Sequence, residues 1–161
     1  FTLQHIQKSK KTIKKTIMSF TEETSNKIAD KELSIVKWWN AKGKSQVNRV
    51  IDPYSTFDLE GNNVIVEVKH RHKAYDTKLI ETIKLSSNFH YSQVKNKTFI
   101  YIVCDSKGLS VFNITKNIEK IIKLPEHIKT MEYKHYVKKT PIKKLHRNLP
   151  KELSEVWEQE F

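Results

Sequence analysis

The chain has 161 residues, 37% of them hydrophobic and 30% charged, which suits a single globular domain with a polar surface. Its net charge of +12 favours a polyanionic partner, and nucleic acid fits this charge better than an anionic membrane does. No apolar run approaches the roughly 20 residues of a membrane span, no signal peptide is recognised, and the single cysteine, Cys104, excludes an internal disulfide. We therefore expect a protein of the reducing cytoplasm.

Charge and hydropathy divide the chain into three expected segments. Residues 1–17 contain five lysines and no acid, and are interpreted as a basic N-terminal extension, either an amphipathic helix or a flexible arm that binds nucleic acid. Residues 18–115 carry the regular patterns of a folded core. Residues 116–161 are interpreted as a basic C-terminal extension, whose last part, PKELSEVWEQEF, is predicted to form a terminal helix packed on the core through Leu153 and Trp157.

Helical and extended patterns alternate along the core. Apolar spacing of three and four residues predicts a first helix over about 22–39, and Asp76 is a candidate N-cap for a second helix over about 77–94. Apolar segments between turn residues predict strands over 46–51, 56–59, 64–70, 98–104 and 109–114. This order predicts an α/β fold with two or three layers around one mixed sheet.

The predicted hairpin around residues 61–62 brings polar side chains to one face of the sheet. If the hairpin closes symmetrically about these two residues, Asp58 faces Ile65 on the next strand. Side chains two residues apart share a face, so Asp58, Glu67 and Lys69 are expected to point the same way. The opposite, core-facing set is expected to be Phe57, Leu59, Val64, Val66 and Val68.

These three polar residues can together serve phosphodiester hydrolysis. Carboxylates on adjacent strands repel each other unless a cation lies between them, and hard divalent cations such as Mg²⁺ prefer such oxygen ligands. A bound metal lowers the pKa of a water and neutralises a phosphate. The ammonium group of Lys69 can hold that water or stabilise the charge that grows on the phosphate.

The spacing of these residues resembles the signature of the PD-(D/E)XK nuclease superfamily. Asp58 is followed, after eight residues, by Glu67-Val68-Lys69. Upstream, Glu32 in the stretch ADKELSIVKWW is similar to the first-helix glutamate of the archaeal Holliday-junction resolvases and related small phage endonucleases. The resemblance implies a restriction-endonuclease-like core, in which helices flank a mixed central β-sheet.

The resemblance also implies a role for each matched residue. In that family the aspartate and the glutamate, here Asp58 and Glu67, bind Mg²⁺ or Mn²⁺, often with the backbone carbonyl between Glu and Lys, here that of Val68. The lysine, here Lys69, positions the attacking water, and the helix glutamate, here Glu32, supports the metal site. The implied function is a metal-dependent DNA endonuclease, with branched, double-stranded and single-stranded DNA as candidate substrates. Many relatives of this size are homodimers.

Further basic residues are candidates for contacts to nucleic-acid phosphates. They are Arg71, Lys73, Lys84, Lys138, Lys139, Lys143 and Lys144. Lys84, in the predicted second helix, resembles a basic residue that related phage nucleases aim toward the site, although an exposed helix lysine is the simpler interpretation.

Two alternatives stay open from the sequence. Asp52, which precedes Pro53, is a rival for the first carboxylate, and Asp58 is preferred because Asp52 lies beyond a proline and outside the hairpin. Glu67 and Lys69 could also form a surface pair on a solvated sheet. In that case the chain would be a non-catalytic, basic nucleic-acid-binding protein.

Overall fold

A computed structural model of the protein describes residue 27 and residues 29–42, 45–131 and 142–161. Within these ranges it contains three helices: α1 over residues 29–41, α2 (Thr82–Val94) and α3 (Ile114–Ile122). No helix in this part of the chain is long and apolar enough to cross a membrane.

Nine strands accompany the helices in the described ranges. They are β1 (Val47–Arg49), β2 (Leu59–Gly61), β3 (Val64–His70), β4 (Thr77–Glu81), β5 (Thr98–Asp105), β6 (Gly108–Asn113), β7 (Glu126–Met131), β8 (Ile142–Pro150) and β9 (Val156–Gln159). A 3-10 turn, Lys151–Leu153, separates the last two strands.

The strands form two sheets. The main sheet has the order β1-β2-β3-β5-β6-β9, in which β3 and β5 are parallel and the other neighbours antiparallel. The second sheet has the order β4-β8-β7 and is antiparallel. The predicted class, a mixed α/β fold with helices flanking a mixed central sheet, is confirmed at this level.

Both faces of the main sheet are buried, which explains why β3 and β5 are almost continuously apolar. On one face, Ile35 and Trp39 of α1 pack against β2 and β3. On the other face, Leu85 of α2 and Ile121 of α3 pack with β3 and β5, and the second sheet adds Ile80. Each fully buried side chain of this size stabilises the fold by about 1.5–3 kcal/mol.

The hairpin register differs from the predicted one. Leu59 pairs with Val66 and Glu60 with Ile65, so the two-residue loop is 62–63 instead of 61–62. The shift of two residues preserves the faces of β3 but brings Asp58 opposite Glu67 instead of diagonal to it. The prediction for Phe57 was wrong: its ring lies in the cluster on the Ile65 face, because regular pairing ends at Leu59 and strand alternation stops there.

Two predicted helical segments are strands. The second helix begins at Thr82, so Asp76 is not its N-cap, and residues 77–81 form β4 because they pair with β8, far along the chain. The predicted terminal helix was also wrong. Residues 156–159 form β9, which satisfies the backbone groups at the free edge of β6. Residues after 115 therefore supply strands to both sheets.

Candidate active site

Asp58 and Glu67 lie side by side where β2 begins and β3 passes through the core. Asp58 ends the regular pairing of the hairpin, and its Oδ2 accepts the Val68 N–H at 2.7 Å in place of a main-chain acceptor. Glu67 is only 7% exposed. Its Oε2 is buried and has no hydrogen-bond donor within the described residues. The site therefore contains a buried carboxylate oxygen whose binding capacity is unused.

Both carboxyl groups are held away from their ordinary ionisation. Burial, reinforced by the charge of Asp58, raises the pKa of Glu67 to about 7, and the nearby charges of Lys84 and Lys69 oppose this rise. Burial also raises the pKa of Asp58, against the hydrogen bond from Val68. Lys84 and Lys69 do not offset the effect of burial on this pair, and a divalent cation between the two carboxyl groups would lower both pKa values and favour the ionised form.

Lys84 belongs to this site. It lies in the first turn of α2, where its Nζ is 3.3 Å from Glu67 Oε1 and donates to the Thr56 carbonyl at 2.8 Å. The simpler interpretation of an exposed helix lysine does not describe this contact, although the side chain is still 37% exposed. The sequence signal for this position of Lys84 was its resemblance to the basic residue that related phage nucleases aim toward the site.

Lys69 follows Glu67 by two residues and lies on the same face of β3. With Glu67, Lys84 and Tyr101 it lines a small cavity of about 20 Å³. Among the residues that the structure describes, no carboxylate lies within ion-pair distance of Lys69, whose charge nevertheless lowers the pKa of Glu67. Its ammonium group is therefore available to a water or a phosphate.

Glu32 lies on the α1 side of the sheet and is 8% exposed. Its carboxylate is hydrogen-bonded to Arg49 of β1, and its charge contributes to the raised pKa of Asp58. In the described ranges no three His, Cys, Asp or Glu side chains converge as a preformed metal cluster. The structure thus brings Asp58 and Glu67 together with Lys69. Glu32 is paired with Arg49, and the role of Glu32 in the site stays a prediction.

The rival carboxylate, Asp52, is exposed and is used locally. Its Oδ1 accepts the Tyr54 N–H at 2.9 Å, and its carbonyl accepts the Ser55 N–H at 3.1 Å. These two hydrogen bonds form a turn outside the hairpin, which is where Asp52 was expected to lie. The Val68 amide contacts Asp58, which sets this part of the backbone beside the carboxylates, and the role of the Val68 carbonyl stays a prediction.

The other basic candidates lie in different surroundings. Arg71 and Lys73 follow β3 and line a cavity of about 300 Å³ between the two sheets. Lys144 of β8 is paired with Glu81 of β4, at 3.1 Å, whereas Lys143 is exposed. Lys138 and Lys139 lie outside the described residues, as does the basic segment 1–17.

Sequence reasoning missed the contribution of the second sheet to this region. Glu81 lines the same small cavity as Glu67, and His146 of β8 lines the larger one. Neither was predicted because β4 was assigned to a helix and β8 was not assigned at all. Their proximity depends on a pairing between segments more than 60 residues apart, in which Glu81 lies opposite His146.

Comparisons with protein-family models, with curated proteins and with solved structures give no match to this chain.

Proposed function

We propose that this protein is a divalent-metal-dependent nuclease of the PD-(D/E)XK type, with a restriction-endonuclease-like core and DNA as its substrate. One observation carries the proposal: the partly buried Asp58 and the buried Glu67 are adjacent carboxyl groups with raised pKa values, and Glu67 Oε2 has no donor in the described part of the chain. The Val68 N–H satisfies Asp58 Oδ2 and Lys84 pairs with Glu67 Oε1, which leaves Glu67 Oε2 open to a cation.

The residues present fit Mg²⁺ or Mn²⁺. Asp58 and Glu67 supply hard oxygen ligands, and the Val68 carbonyl is the third protein ligand that the resemblance implies. When bound there, the metal supplies a water of lowered pKa and neutralises charge on the phosphate. The two carboxylates need to be ionised to hold it, so metal binding should weaken as the pH falls below the pKa of Glu67, about 7 in the metal-free protein.

The two lysines supply the remaining chemistry. Lys69, which has no carboxylate partner among the described residues, holds the attacking water by donating an N–H···O hydrogen bond to its oxygen. Lys84 donates to the Glu67 side chain and so fixes the orientation of that carboxylate. Both ammonium groups stabilise the negative charge that develops on the phosphate in the transition state.

A nucleic-acid substrate is supported by charge. The chain has a net charge of +12, and Arg71 and Lys73 follow directly after β3, the strand that carries Glu67 and Lys69. Cleavage within the strand, action on branched DNA and assembly as a homodimer follow from the resemblance and belong to the same proposal.

Cleavage of supercoiled plasmid and of four-way, linear and single-stranded DNA, with Mg²⁺ or Mn²⁺, tests the proposal. We expect Glu67→Gln and Lys69→Ala each to lose at least about 10²-fold in cleavage rate while DNA binding persists. Lys37→Ala, an exposed lysine on α1 across the sheet, is the charge-matched control and should retain the rate. The second candidate function, a non-catalytic nucleic-acid-binding protein, rests on the net charge alone and requires binding without cleavage under either metal.

A further inference from the structure

A second, larger cavity lies between the two sheets, beyond the proposed active site. It has a volume of about 300 Å³, at the lower end of the range for small-molecule sites. The segment between β3 and β4, the strands β4 and β8, Asp105 of β5 and Lys129 of β7 bound it. Nothing in the hydrolytic mechanism uses this space.

The lining of this cavity combines cations with an aromatic ring. Arg71, Lys73 and Lys129 contribute positive charge, and Tyr75, which is 60% exposed, contributes a ring at its opening. The one acid in the lining, Asp105, is neutralised by Lys78 at 2.6 Å. The net character of the cavity is therefore cationic.

A buried ion-pair network lies in the wall of the cavity. Lys78 is 2% exposed and joins Asp105 of β5 to Glu158 of β9, at 2.6 and 2.9 Å, with its ammonium 4.5 Å from the centre of the Trp157 ring. This network fixes β4 of the second sheet against the main sheet. Because Lys78 is fully committed to it, the residues free to meet a ligand are those at the opening.

The cavity lies next to the proposed active site. Arg71 lines both the large cavity and the small one that holds Glu67 and Lys69. Between them lies a third space of about 30 Å³, lined by Lys69, Arg71, Lys129 and His146, and by Glu81, whose charge is offset by Lys144. A strand whose phosphate lies at Glu67 would therefore meet a line of positive charge leading toward Tyr75.

We propose that this cavity receives one unpaired nucleotide of the nucleic-acid strand next to the phosphate that is cleaved, with its phosphate against Lys73 and Lys129 and its base on Tyr75. A paired base could not enter a space of this size without leaving the duplex. Aromatic rings among cations bind single strands with little dependence on sequence. The inference rests on the proposed function for the identity of the ligand, and it narrows the substrate to DNA with unpaired nucleotides at the cleavage site.

Fluorescence anisotropy of the full chain in EDTA tests this, since binding is then measured without cleavage. The probes are a labelled single strand of about 12 nucleotides and the same sequence as a blunt duplex. For the double variant Lys73→Ala/Lys129→Ala, the slope of log affinity against log salt concentration should become shallower by about 1.4. This corresponds to about 25-fold weaker single-strand binding at 0.1 M salt. Tyr75→Ala should weaken it about tenfold with an unchanged salt dependence.

The control is Lys37→Ala/Lys120→Ala, which removes two exposed lysines of α1 and α3 that do not line the cavity. Thermal unfolding by circular dichroism confirms that each variant is folded. Single-strand losses no larger than those of the control, or losses as large for the duplex as for the single strand, would overturn the proposal.

The two proposals fail separately. If the cavity variants bind normally while Glu67→Gln abolishes cleavage, the cavity assignment is wrong and the nuclease stands. If the cavity variants lose single-strand affinity but no metal supports cleavage, the nucleotide cavity stands and the nuclease is wrong.

Discussion

Replacement of Glu67 by glutamine should stabilise the metal-free protein at alkaline pH. In the folded state the pKa of Glu67 is raised from 4.5 to about 7, chiefly by burial. The folded protein therefore binds more protons than the unfolded chain between these two pH values, and stability falls as pH rises through that interval. Integrated over it, the loss is about 3 kcal/mol at pH 8 relative to pH 4. Glutamine carries no charge to bury and should remove this loss.

Urea and thermal unfolding at pH 5 and pH 8, in EDTA, measure the effect. At pH 8 the Glu67→Gln protein should be more stable by up to about 3 kcal/mol, or about 6–12 °C in Tm for a chain of this length. At pH 5 the difference should fall below about 1 kcal/mol, because Glu67 is then protonated in the folded protein and resembles glutamine in shape. Glu119→Gln, at an exposed position on α3, is the charge-matched control. A variant that is less stable at pH 8, or that keeps the wild-type pH dependence, would refute the conclusion that burial raises the pKa of Glu67.

Three further outcomes follow from the same contacts. Metal affinity, from calorimetric titration with Mn²⁺, should rise about tenfold per pH unit below pH 7 and level off above it, since one proton leaves Glu67 on binding; a flat profile would exclude Glu67 as a ligand. Lys84→Met removes a cation that lowers the pKa of Glu67, so the midpoint of the pH–cleavage profile should move to higher pH. An unchanged midpoint would show that Lys84 has no influence on the ionisation of Glu67. Lys78→Met leaves Asp105 and Glu158 without their buried partner and should cost about 3–5 kcal/mol in urea unfolding; a loss below about 1 kcal/mol would mean that water already solvates the network.

The local patterns that predicted the centre of the main sheet are those of strands buried on both faces. β3, β5 and β6 lie within one residue of their predicted bounds, because each is an apolar segment closed by turn residues. The polar face of β3 was also predictable, since strand alternation alone places Glu67 and Lys69 together. Their approach to Asp58 needed only a hairpin, and it survives the two-residue change in register.

What the sequence could not predict depends on contacts between distant segments. β4 has a pattern compatible with the start of α2, and only its pairing with β8 makes it extended. β9 reads as an amphipathic helix, but the unpaired edge of β6 favours a strand there. The larger cavity is lined by the segment after β3 and by β4, β5, β7 and β8, so no local sequence motif predicts it.

The most direct measurement is cleavage of supercoiled plasmid and single-stranded DNA by the full chain, with Mn²⁺ titrated at pH 8. Cleavage should appear with metal, disappear in EDTA and fall at least about 10²-fold in Glu67→Gln, while the Lys37→Ala protein keeps the wild-type rate. Retained cleavage in Glu67→Gln, or bound but intact DNA at every metal concentration, would contradict the claim that Asp58 and Glu67 hold a catalytic metal.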